Sequence, residues 1–109
     1  MTVKELEESL GLTPVCVSNT DREVTGAYVG DLLSWVMGRA PADSVWLTIM
    51  SNVNVCAVAS LADVACVILA EGVTPDPPAK TAAETRGLNM YTSTKTSYQL
   101  AKELALLGI

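Results

Sequence analysis

Apolar positions along the chain alternate between helical and strand-like spacing. Val3, Leu6 and Leu10 fall three and four apart, with Lys4, Glu5, Glu7 and Glu8 between them, which puts one apolar stripe on a helix. Thr2 stands three positions before Glu5, so a capping box can close the first turn, and Gly11 supplies the stop. Pro14-Val15-Cys16-Val17 is an apolar run bounded by Ser18-Asn19-Thr20-Asp21, and it predicts a strand buried on both faces. Val24 to Val29 predicts a second, shorter strand.

Further along, Asp31 predicts a cap for a helix over Leu32 to Met37 that ends at Gly38. Ser44 to Met50 is bulky and β-rich, the best strand in the chain. Ser51-Asn52 then offers a cap for a helix from Val53 to Asp63, apolar almost all round and therefore expected between other elements. Ala65 to Leu69 predicts another buried strand, with Glu71-Gly72 as its turn. Thr74-Pro75-Asp76-Pro77-Pro78 predicts an irregular surface loop. A short helix over Thr81 to Arg86, a strand over Asn89 to Thr92, and a last helix capped by Thr96 or Ser97 and running to Leu107 complete the order. Such alternation predicts an α/β fold, a mostly parallel sheet flanked by helices in three α/β/α layers.

Composition narrows the picture. The 109 residues are 50% hydrophobic and 17% charged, enough apolar surface to offset the entropy of ordering, and the length suits one domain over 1–109. Most apolar residues are Ala, Val and Leu, with no Phe, so thin packing of helix on sheet is expected rather than a large apolar cavity. A mean hydropathy of +0.34 is high for so small a chain and favours a second copy covering some surface. The formal charge of −5 and scattered Lys and Arg disfavour nucleic acid. Cys16, Cys56 and Cys66 show no paired spacing and read as reduced thiols. With no basic and apolar leader, and no apolar run near the roughly 20 residues of a membrane span, a cytoplasmic location is expected, away from membranes.

Candidate chemistry gathers at loops. In sheets of this class ligands meet the carboxyl ends of the strands, where helix N-termini aim free N–H groups outward. Ser51, Asn52 and Asn54, then Glu71 and Gly72, then Thr92, Ser93, Thr94, Lys95 and Thr96 all fall at such places. The last group joins hydroxyls, a cation and a helix start, which suits a phosphate or carboxylate; the same residue types also serve simply as caps. The stretch Asp21-Arg22-Glu23-Val24-Thr25-Gly26, followed by Tyr28-Val29-Gly30-Asp31, sets charged, hydroxyl and glycine residues around a short strand. It reads either as a structural turn, with Asp21 on backbone N–H groups and Arg22 paired to Asp21 or Asp31, or as a ligand or partner contact.

Known catalytic patterns are missing. The chain has no His, which removes the commonest general base and the usual nitrogen ligand for metals. It has neither a GxxxxGK[ST] loop nor a GxGxxG turn. No enzyme activity, cofactor or metal is expected.

At Asp21-Arg22-Glu23-Val24-Thr25-Gly26-Ala27 the sequence resembles the DRTGG domain family, with Glu23 and Val24 in place of a simple DRT run and Ala27 replacing a glycine. Tyr28 to Ser34 is similar to the continuation in its small stand-alone members, and the likeness extends through Ser51-Asn52-Val53-Asn54 to the final helix. The resemblance implies a domain like the N-terminal domain of HPr kinase/phosphorylase, found elsewhere beside CBS, DHH-phosphatase and phosphotransacetylase modules. It implies a regulatory or dimerising role with no catalysis; kinase-like labels follow the family, but the kinase P-loop lies in another domain.

The reading expected from all this is a non-catalytic regulatory or interaction domain of a bacterial signalling or metabolic system. It homodimerises through apolar surface near the second strand and the helix after it. One alternative is a sensor of a small anion or nucleotide, with Arg22 joining Ser51, Asn52 and Thr92 to Thr96. The other is an accessory subunit of a redox complex, associated with iron-only hydrogenase, or of a phosphotransfer complex.

Overall fold

The computed structural model describes residues 1–109. Five strands, β1 (Thr13–Cys16), β2 (Gly26–Val29), β3 (Ser44–Thr48), β4 (Cys66–Leu69) and β5 (Met90–Thr92), alternate with five helices, α1 (Val3–Leu10), α2 (Leu33–Arg39), α3 (Asn54–Ala62), α4 (Pro77–Arg86) and α5 (Ser97–Leu106). They form one sheet in the order β1-β5-β4-β3-β2. β2 to β5 run parallel, and β1 is antiparallel to β5. The expected α/β fold is therefore the one observed.

Alternation along the strands divides the core in two. Val45, Leu47, Cys66, Ile68 and Tyr91 face Val3, Leu6 and Leu10 of α1 and Leu100 and Leu104 of α5. Trp46, Val67, Leu69 and Met90 face Val36 of α2, Val55, Cys56, Val58 and Ala59 of α3, and Ala79 and Ala83 of α4. The buried face of α4 consists of the small residues Ala79 and Ala83, while α3 buries Val55, Cys56, Val58 and Ala59, each removing apolar area from water.

Local chemistry sets the boundaries. Thr2 and Glu5 form the expected reciprocal capping box, and Gly11 ends α1 in the left-handed region at φ 64°. Four expectations need correction. β1 is a half-exposed lateral strand, not one buried on both faces, because its far side has no neighbour. Asp31 does not cap α2, which starts without a side-chain cap and continues through Gly38. Leu61 of α3 is 71% exposed, so that helix is covered on one side only. Pro77 and Pro78 open α4, since proline in a first turn gives up only N–H groups that have no helical partner.

Candidate functional site

The parallel strands β2 to β5 bring their carboxyl ends to one end of the sheet, and antiparallel β1 brings Gly11 and Thr13 there as well. At the exit of β2, the carbonyl of Gly30 accepts the Trp46 Nε1–H at 2.9 Å. Asp31 Oδ1 accepts from Thr48 Oγ1 at 2.8 Å and from the Ile49 N–H at 3.0 Å, so it fastens the exits of β2 and β3 together. Beyond β3, Ser51 Oγ donates to Asp76 Oδ1 at 3.2 Å, and its carbonyl accepts the Asp76 N–H. Asn52 Oδ1 accepts the Asn54 N–H at 2.9 Å and steadies the start of α3.

After β4, Glu71 and Gly72 are both left-handed, at φ 63° and 74°. Their N–H groups donate to the carbonyls of Lys95 and Ser93. This turn carries the Glu71 carboxylate onto the Ser97 N–H at 2.9 Å, while Thr96 Oγ1 accepts from Gln99. The start of α5 thus holds an internal anion where negative charge is favoured. Lys95 Nζ points to the Leu10 carbonyl and to Glu103 Oε1, both at 3.0 Å.

Between these loops lies a cavity of about 210 Å³, walled by Gly11 and Thr13, by Gly72, Val73 and Thr74, and by Thr92 to Lys95. It brings together Thr92, Ser93, Thr94 and Lys95 of the candidates read from sequence, and adds Thr13 and Thr74. Gly30, Asp31, Ser51, Asn52 and Asn54 share that end of the sheet but do not line the cavity. Nothing in their spacing marked Thr13 or Thr74; both reach the cavity through β1's reversed direction and the path of the 72–76 loop.

Asp21, Arg22, Thr25 and Gly26 lie at the opposite end, where β2, β3 and β4 begin. Arg22 Nε donates to Asp43 Oδ1 at 2.9 Å, and its Nη2 lies 3.0 Å from Asp63 Oδ1. Its partners are thus Asp43 and Asp63, not Asp21 or Asp31. Burial works against the Arg22 charge, but the hydrogen bonds it donates to Asp43 and Asp63, with their negative charge, outweigh it and raise its pKa. Thr25 donates its N–H to the Asp43 carbonyl. Gly26 needs no special freedom, since a Cβ there would meet nothing within 4 Å. Arg22 therefore cannot join Thr92 to Thr96 around one ligand in this fold.

Burial raises the pKa of all three thiols, Cys66 to about 12, so each is held as the weakly nucleophilic protonated form. No cluster of three or more His, Cys, Asp or Glu could hold a metal ion. No helix is long and apolar enough to cross a membrane.

No family model matches the chain, and no curated protein matches it. Among solved structures, it is similar to the CBS and DRTGG domains of the regulatory region of Clostridium perfringens pyrophosphatase, complexed with its activator diadenosine tetraphosphate, with a TM-score of 0.76 at 10% identity. The match covers 94% of this chain and 45% of the other, so this chain spans less than half of that structure. At such identity the likeness establishes a shared fold.

Proposed function

We propose that the chain is a single-domain, non-catalytic regulatory module of the DRTGG type that works in the cytoplasm as a homodimer, joined along β2 and the adjoining flank of α2. One contrast carries this reading. The two lateral strands of the sheet are treated differently. β1 contains Pro14 and a break in register between Pro14 and Cys16, devices that blunt an open edge. β2 keeps an unbroken register from Gly26 to Val29, and the seven residues from Val24 to Gly30 contain neither a charge nor a proline.

An open edge of that kind is a template for another strand. Beside it, Val29 and Trp35 are each 52% exposed, and Leu32 and Ile49 are exposed as well. Leu32 and Ile49 flank the point where Asp31 ties the strand exits, and Trp35 follows Leu32 by one helical turn. A second copy fits because a twofold contact uses the same patch on both partners. The regulatory setting of the structurally similar domains supports the reading further.

Sedimentation equilibrium from low to high micromolar concentration tests it. The wild type is expected to be dimeric and Val29→Lys monomeric, with Leu61→Lys, on exposed α3 surface, unchanged. A wild type that stays monomeric throughout would refute it.

A second reading rests on the cavity at Thr92 to Lys95, which would make the module a small-ligand sensor. The nucleotide activator bound by the similar regulatory region lends support. Thermal-shift screening against nucleotides, phosphometabolites and free sugars tests it, and a flat response across the whole panel would leave it without support.

A further inference from the structure

We infer that the cavity beside β5 takes an uncharged, hydroxyl-rich group, a monosaccharide ring, in preference to a phosphate; this rests on reading the cavity as a ligand site. Two features there would otherwise attract an anion, and both are already used within the chain. The Lys95 ammonium is held by the Leu10 carbonyl and the Glu103 carboxylate. The start of α5 is occupied by the Glu71 carboxylate on the Ser97 N–H. A phosphate entering here would meet a lysine already paired within the chain, on a protein of formal charge −5, and would lose hydration without a free counter-charge.

What the cavity leaves unused is neutral. Thr13, Thr74, Thr92 and Thr94 line it, and none of their hydroxyls makes a hydrogen bond within the protein. The backbone N–H groups of Thr74 and Thr94 also have no protein partner. Ser93 is only 9% exposed, and its Oγ accepts the Lys95 N–H, which leaves its own proton to donate. Rotatable hydroxyls both give and accept hydrogen bonds, so they match ligand hydroxyls that do both, whereas phosphate oxygens mostly accept.

Size and shape narrow the ligand further. At about 210 Å³ the cavity lies below the roughly 300–1,000 Å³ typical of sites for drug-sized ligands. Its lining contains no aromatic side chain on which a nucleobase could stack. A nucleotide would therefore engage it through its ribose alone.

Amide chemical shifts of Thr74, Thr92, Ser93 and Thr94 in the full chain decide the matter, with D-ribose, D-glucose and inorganic phosphate as probes at low and high salt. Saturable shifts with at least one sugar are expected, insensitive to salt and lost in Thr94→Val, whose melting temperature should stay unchanged. Saturable shifts with phosphate that fade as salt rises, with none from the sugars, would overturn the ligand class and keep the site. Absence of saturable shifts with every probe would overturn the site as well.

Discussion

Arg22 grips Asp43 at 2.8 Å, at a residue whose backbone is left-handed with φ 62°. The same guanidinium holds Asp63, also left-handed at φ 55°. Each aspartate stands just ahead of a strand, Asp43 directly before Ser44 of β3 and Asp63 three residues before Cys66 of β4. The Asp43 N–H donates to the Asp63 carbonyl, so without the arginine two carboxylates would face one another across that link. One side chain thus aligns the starts of β3 and β4 with the turn that leads into β2.

Arg22→Ala should therefore lower stability by about 2 kcal/mol, more than a median exposed ion pair contributes, because the guanidinium is three-quarters covered and also bonds a backbone carbonyl. Arg22→Lys should recover only part, since an ammonium cannot reproduce the planar fork. Urea denaturation measures both. Sugar-induced shifts at Thr94 should survive in either variant, as Arg22 lies at the other end of the sheet.

Asp31 offers a second test. Removing its carboxylate in Asp31→Ala takes the acceptor from the buried Thr48 hydroxyl and leaves the exposed Ile49 N–H to water, at a cost of about 1 kcal/mol. Asp31→Asn keeps an acceptor oxygen and should restore most of that loss. The comparison is read from chemical denaturation midpoints.

Glu71→Gln tests the internal anion at α5. It keeps the hydrogen bond to Ser97 but removes the charge facing the helix start, so a loss of roughly 0.5 kcal/mol in stability is expected. Glu71→Ala should cost about 1 kcal/mol, as the acceptor goes too. Thermal melts at low salt resolve the pair.

Alkaline stability follows from Cys66. Its pKa is raised by burial from 9.0 to about 12, so the folded form keeps its proton after the unfolded thiol has lost it. This contribution is complete below pH 9 and is lost as pH climbs towards 12, on the order of 4 kcal/mol over that span. Cys66→Ala should flatten the decline between those limits in denaturant titrations at stepped pH, whatever its effect at neutrality.

Much of this fold was legible in the chain. Thr2 and Glu5 announced their capping box, and the alternation of short apolar runs with helical spacing gave the parallel sheet. The reversal of β1 was not legible, because a four-residue apolar run carries no sign of its direction. Nor could the run from Thr74 to Pro78 reveal that Pro77 starts a helix, since proline signals a break and a first turn alike. At the candidate site, Thr92 to Lys95 were recognisable from their chemistry. Their neighbours Thr13 and Thr74 depended on topology, and Lys95 read as a free cation because Glu103, its partner, lies eight residues on in α5. The partners of Arg22 were hidden for the same reason: Asp43 and Asp63 lie 21 and 41 residues away.

Hydrogen exchange of the β2 amides from Gly26 to Val29, followed as a function of protein concentration, tests self-association through that edge most directly. Outward-facing N–H groups there should exchange quickly in dilute solution and gain protection as concentration rises, while the amides of β4, enclosed in the sheet, stay protected throughout. Rapid exchange at β2 that is identical at every concentration would contradict it.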